Sequence, residues 1–165
     1  MAPGLVVEEV DVAGPPTSVA VRGAGWVEAA VLLAPDDGWV RSPVGAQARA
    51  EFVAGADGSE RLHVVVRCGE PLDEVVLRSY CIGAAHMALG WVRSEGITVG
   101  SDGVPLDLTV RSLGILRAVD MPSIEVEIVA DDGPAVNGSD AVFAAVALAA
   151  WRTEGFAPRW PTMRA

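Results

Sequence analysis

The sequence predicts an α+β fold: two layers, with a mixed β-sheet carrying two main helices on one face. Three observations predict it. Val-rich alternating runs such as "RLHVVVR" and "SIEVEIVA" have the period of strands, and two Ala-rich stretches have the length and small-residue content of packed helices. These segments follow one another in the order β-β-α-β-β-α. At 165 residues and 51% hydrophobic content, the chain suits one compact domain over 1–165. A chain of that size buries roughly 70% of its unfolded surface and needs no disulfide or metal staple.

Taken in order, residues 5–12, "LVVEEVDV", and 17–22, "TSVAVR", flank the turn "AGPP" and read as strands of an N-terminal extension, 1–45. Residues 25–34, "GWVEAAVLLA", suit a short helix and a buried strand equally, and "PDDGW" then makes a turn. Residues 46–54, "AQARAEFVA", and 61–67, "RLHVVVR", bracket "GADGSE" as a hairpin, stopped by Gly69 and Pro71. Residues 73–95 form the strongest helix, with Asp73 as N-cap and Gly96 ending the run. Val76, Tyr80, Gly83 and Met87 make one stripe of it; Leu77, Cys81, Ala84, Ala88 and Trp91 make the neighbouring one. Gly83 and Gly90 each cost about 1 kcal/mol against alanine there, so a sheet or a ligand should approach that backbone closely. Residues 104–117 and 123–130 read as strands, with Ile124, Val126 and Ile128 on one side. A second helix spans about 140–153, with Gly155 just beyond it.

The net charge is −10, and all 12 basic residues are arginine. No arginine cluster or aromatic–basic stripe appears along the chain, so nucleic acid is not an expected partner. An acidic surface repels anionic membranes, and no apolar run approaches the roughly 20 residues of a membrane span. The first residues, "MAPGLVVEEVDVAG", lack the pattern of a signal peptide, and Cys68 and Cys81 lack zinc-like spacing. The expectation is a cytoplasmic protein with reduced thiols.

Several segments together carry a resemblance. "ARAEFVAGADG" and "VVVRCGEPLDE" match a strand pair of the forms "AEVEVD…G" and "DCGRPLNP". "RSYCIGAAHMALGWVRSEG" is similar to a helix of the type "GQxEGGxxxGLGxALxEE". "DMPSIEVEIV" matches "D-x-P-x-I-E-V", and "VNGSDAVFAAVALAAW" matches a "GVGE" loop opening a helix of the "NAIxxA" sort. In this order the segments resemble the last repeat of the molybdopterin-binding region of the xanthine dehydrogenase and aldehyde oxidase family, the molybdenum hydroxylases. The likeness covers about residues 46–161, while 1–45 have no counterpart and the family's upstream repeats are absent.

The departures from that pattern bear on chemistry. The family's GVGE glutamate, the base that activates the metal-bound water or hydroxyl, falls on Ser139. A serine cannot act as a base near neutral pH without another group to take its proton. Asp140 is the nearest substitute, but one step along a helix start is about 100° of rotation. The family's cofactor-contacting glutamine falls on Tyr80 and the aspartate of "DCG" on Arg67, while Gly83 and Gly138 keep their glycines.

The candidate catalytic residues are therefore Tyr80, Ser139 and Asp140, and the candidate ligand-binding residues are Gly83, Gly138 and Asn137. Each has a plainer reading beside it. Ser139 and Asp140 suit a helix cap as well as an anion site at the helix start. Tyr80 suits a core anchor as well as a ligand donor. His63 and His86 have no acidic or cysteine neighbours at ligand spacing, so no metal site is expected. Glu51, Glu125 and Glu127 sit on strands, where they read as outward-facing charges or, if one points inward, as a candidate base. Trp160, in "PRWP", is expected to cover a pocket or meet a partner.

Three functions follow from these residues. The first is a stand-alone relative of the hydroxylase cofactor-binding domain, acting as an accessory subunit or oligomeric binding protein. Apolar faces left by the missing repeats would drive its association. The second is a cofactor-independent enzyme (isomerase, cyclase or lyase) acting on a small organic substrate. The third is a split oxidoreductase subunit, which would hold molybdopterin only with partner chains; otherwise no cofactor is expected.

Overall fold

The computed structural model describes residues 1–11, 13–14, 19–55, 57–106 and 108–163. Helix α1 (Val19–Leu33) leads to a short strand β1 (Val40–Arg41), then β2 (Gln47–Ala54) and β3 (Glu60–Arg67). Helix α2 (Glu74–Arg93), the one-turn α3 (Val110–Leu113), strand β4 (Ser123–Ile128) and helix α4 (Ser139–Thr153) complete the order. The sheet runs β1-β2-β3-β4; the first two pairings are antiparallel and β3–β4 is parallel, with α2 within the crossover. This is the expected α+β arrangement with a mixed sheet.

Alternation decides which face of the sheet is covered. Ala48, Leu62, Val64, Val66 and Val126 point inward and are buried, while Arg49, Glu51, Arg61, His63, Arg67, Glu125 and Glu127 occupy the other side. Helices α2 and α4 pack on the apolar side and against each other. Helix α4 is buried almost all round, from Ala141 and Val142 through Ala144–Ala150. A helix apolar on every side belongs in an interior, and its alanines let the sheet, α2 and α1 all come close.

Helix α2 begins where Asp73 Oδ1 accepts the Val75 and Val76 N–H groups at 2.8 and 3.0 Å, a cap that contributes about 1 kcal/mol. It ends at Arg93, before Gly96, where the Ser94 and Glu95 N–H groups both return to the Gly90 carbonyl. Its Leu77–Cys81–Ala84–Ala88 stripe is core. The Val76–Tyr80–Gly83–Met87 stripe is exposed.

Several expectations are corrected. Residues 5–11 form no strand, and Val6, Val7 and Val10 are exposed; paired valines without strict alternation give such a segment no single face to bury. Residues 19–22 belong to α1 rather than to a strand, and 25–33 continue that helix, because together they make a helix long enough to pack along α4. Residues 12 and 15–18, where the rest of those strands and the Pro-Pro turn were expected, lie outside the described residues. The described residues of 104–117 form no strand either. Thr109 caps α3, Gly114 ends it in the left-handed conformation (φ 77°), and among the described residues the pairing nearby is a bridge between Val99 and Pro105. The sheet's fourth strand is instead β1, immediately after the "PDDGW" turn. Finally, α2 is long and apolar enough to cross a membrane by length and composition. Its buried stripe against the sheet and α4 is the pattern of a core helix.

Candidate functional site

The exposed stripe of α2 forms one wall of a cleft of about 920 Å³. The N-terminal turn of α4 supplies Ser139, Asp140 and Phe143, and α1 supplies Gly23, Trp26, Val27 and Glu28 as the opposite wall. Ser79, Tyr80, Gly83, Ala84, Met87 and Trp91 come from α2, and Glu95 closes its far end. Four aromatic rings give the cleft an apolar lining, with a few polar groups set among them. That composition and volume are those of small-molecule sites.

The cleft gathers four of the six residues singled out from the sequence: Tyr80, Gly83, Ser139 and Asp140. Tyr80 is 59% exposed, so it is no core anchor. At Gly83 a Cβ would meet nothing within 4 Å, so the expected close approach of a sheet does not occur and the missing side chain leaves open cleft. The other two residues are structural. Gly138 lies under α4, where a Cβ would come within 2.8 Å of Val66 Cγ2 and 3.5 Å of Cys68 Sγ. Asn137 Oδ1 accepts the Ser139 N–H at 2.9 Å. This also corrects the capping assignment, because Asn137 serves the orphan donor and Ser139 is already the first helical residue.

Sequence reasoning missed Glu95, Glu28 and Trp26. Glu95 is half-buried, and burial pushes its carboxyl above the usual carboxylate range, against a weaker opposing pull from His86. His86 itself lies 2.8 Å, through Nε2, from the Leu116 carbonyl. A carbonyl only accepts, so Nε2 carries the proton in that bond. The one sequence signal for Glu95 was Gly90, whose bare backbone is approached by that carboxylate and not by a sheet.

Elsewhere the strand carboxylates Glu51, Glu125 and Glu127 face outward, which leaves none of them as an inward base. His63, however, has acidic neighbours that its own segment does not reveal: Glu51 Oε1 at 3.7 Å from Nδ1 and Glu127 Oε2 at 3.3 Å from Nε2. Strand pairing puts Glu51 directly opposite His63. Among the described residues no group of three or more His, Cys, Asp or Glu is arranged to hold a metal ion. Trp160 packs edge-on to Trp91 and Trp151, with ring centroids 4.7 and 5.7 Å apart. It lines a separate hollow between α1 and the C-terminal segment.

No protein-family model matches the sequence, and no curated protein matches it either. Among solved structures the chain is similar to quinoline 2-oxidoreductase from Pseudomonas putida 86, with a TM-score of 0.50 and 17% identity. The match covers 63% of this chain but only 14% of that one. At this identity the likeness is one of fold.

Proposed function

We propose that this chain is a version of the molybdenum-hydroxylase repeat that binds a small, largely apolar, neutral or cationic organic molecule in the α1–α2–α4 cleft. One observation carries this reading. Among the described residues lining the cleft, the charged side chains are Glu28, Glu95 and Asp140, with no arginine or histidine, and they stand among Trp26, Trp91, Phe143 and Tyr80. Aromatic faces attract cations and bury apolar rings, and carboxylates repel anions.

The resemblance to the hydroxylases, and the likeness of fold to a quinoline oxidoreductase of that family, raise the question of molybdopterin. That group carries a phosphate and thiolate sulfurs. A cleft with three carboxylates and no cation among its described lining residues does not fit it, and Ser139 stands in the place of the family's base. No step is derived through that cofactor.

A second reading, cofactor-independent proton transfer on the bound molecule, is favoured by a cleft lined by both the Tyr80 phenol and the Glu95 carboxyl. Burial raises the Glu95 pKa, the direction that suits an acid–base group. An isomerisation or elimination needs only such groups, since the proton one group removes another returns. Association with a second copy or a partner chain also belongs to the proposal. Leu72, Val75 and Val119 are 99%, 78% and 81% exposed, and light scattering on the purified chain should find a mass above one chain or a copurifying protein.

The binding test uses matched probes, quinoline, indole and benzylamine against quinoline-2-carboxylate, followed by ligand-observed NMR. The uncharged and cationic probes should bind saturably and the carboxylate at least tenfold more weakly. Gly83→Leu, which fills open cleft without touching the core, should abolish binding. Failure of all three probes to bind, or binding indifferent to Gly83→Leu, would overturn the reading.

A further inference from the structure

The helix-free face of the sheet carries a second arrangement, independent of the cleft. Arg41 on β1 pairs with Gln47 on β2, which pairs with Arg67 on β3, so these side chains form one row across three strands. Arg49, two residues along β2 from Gln47, projects on the same side. Trp39 lies beneath them: the Arg67 guanidinium carbon is 4.6 Å from its ring centroid and that of Arg49 is 5.7 Å away. Arg41, Gln47 and Arg67 line two adjacent hollows, of about 380 and 300 Å³.

We propose that Arg41, Arg49 and Arg67, gathered around Trp39, form a binding site for an oxyanion, the carboxylate or phosphate of a small ligand. Four other arginines are engaged, and Arg41, Arg49 and Arg67 differ from the remaining ones in gathering at the Trp39 end of the sheet. Arg93 pairs with Glu60 and Glu154, Arg117 with Asp120, and Arg78 and Arg152 donate to backbone carbonyls. Among the described residues, the side chains of Arg41, Arg49 and Arg67 make neither an ion pair nor a hydrogen bond, in a chain with 22 acidic residues available, and the Arg67 charge acts only weakly on Asp131. Two carboxylates do border the hollows, but backbone groups hold them. Asp37 accepts the Trp39 N–H, and Asp131 accepts the Gly69 and Gly133 N–H groups.

Three like charges brought together repel one another, and an oxyanion removes that repulsion. Stacking on the indole restrains the Arg67 guanidinium while leaving its planar fork of N–H donors free, and this lowers the ordering cost of bidentate recognition.

The test is an NMR titration of the isotope-labelled full chain at constant ionic strength, with phenyl phosphate in one arm and benzoate in the other. Arginine Nε–H and Trp39 indole signals should shift saturably with at least one probe. Arg67→Gln and Arg41→Gln should each weaken binding about tenfold; both positions are exposed, and the second lies on an edge strand, so one variant stays folded if the other does not. Saturation by phenyl phosphate alone identifies a phosphorylated ligand, by benzoate alone a carboxylate, and by both a general oxyanion site. Linear, non-saturating shifts in both arms, or unchanged binding in the variants, overturn the proposal. Because no cleft residue takes part, its failure and that of the cleft reading are distinguishable.

Discussion

Glu95 turns back over the C-terminal end of α2, so that its carboxylate occupies the space a side chain on Gly90 would fill. From the place of a Cβ on Gly90, the Glu95 Cδ would be 2.8 Å away and its Cγ 3.3 Å. The same turn brings the Glu95 N–H to the Gly90 carbonyl at 2.7 Å. Gly90 thus does not serve the packing of α2 on the sheet. It seats an acid at the end of the cleft.

That seat has a consequence for stability. Burial raises the folded-state pKa of Glu95 above its ordinary value of 4.5. Its contribution is therefore fully present below that ordinary value and lost as pH rises through the folded one. Glu95→Gln stays neutral and loses nothing. Thermal melts should show the variant equal to wild type near pH 4 and more stable at pH 7. A difference of the same size at both values would contradict this.

Asp131 should behave in the opposite sense. The Gly69 N–H, then that of Gly133, and more weakly the Arg67 charge hold its carboxyl below the ordinary 3.8. Its contribution is present above 3.8 and lost as pH falls through the lowered folded value. Asp131→Asn should lower the melting temperature at pH 7 and converge with wild type in strong acid.

Gly138 and Gly83 should respond oppositely to alanine. Gly138→Ala drives a methyl into Val66 and Cys68 and should cost about 1–3 kcal/mol, as overpacking does. Gly83→Ala points into open space and should gain up to about 1 kcal/mol from helix propensity. Urea unfolding of both variants checks the contrast, and equal signs would reject it.

The thiols should be inert in the folded state. Cys81 is buried, and desolvation, with Cys68 beside it, pushes its pKa to about 11; Cys68 is also raised, by burial and then by Asp131. At pH 8, roughly one Cys81 thiol in a thousand would be ionised. A thiol reagent should titrate neither cysteine in buffer and both in urea.

The segments legible in the sequence are those whose signal is local. The β2–β3 hairpin alternates in place, Asp73 starts α2 within its own first turn, and α4 shows by its unbroken Ala/Val run that it lies inside. Tyr80, Gly83, Ser139 and Asp140 were also legible as candidates, since each marks a departure from, or an agreement with, a recognisable pattern. Residues 5–11, 19–22 and the described part of 104–117 depart from the expected strands because their valines and leucines suit a strand as well as an exposed loop or a helix, and only a packing partner chooses between them.

By itself, then, the sequence determined the α+β class, the hairpin and the two main helices, because periods of 2 and 3.6 residues are written in neighbouring positions. Tertiary structure alone decided that α1 faces α2 across a cleft, and that Arg49 and Arg67 meet over Trp39 with Arg41 in the same row. Each of these depends on elements far apart in the chain arriving at one place. Backbone pairing and burial set that distance, and no spacing along the sequence encodes it.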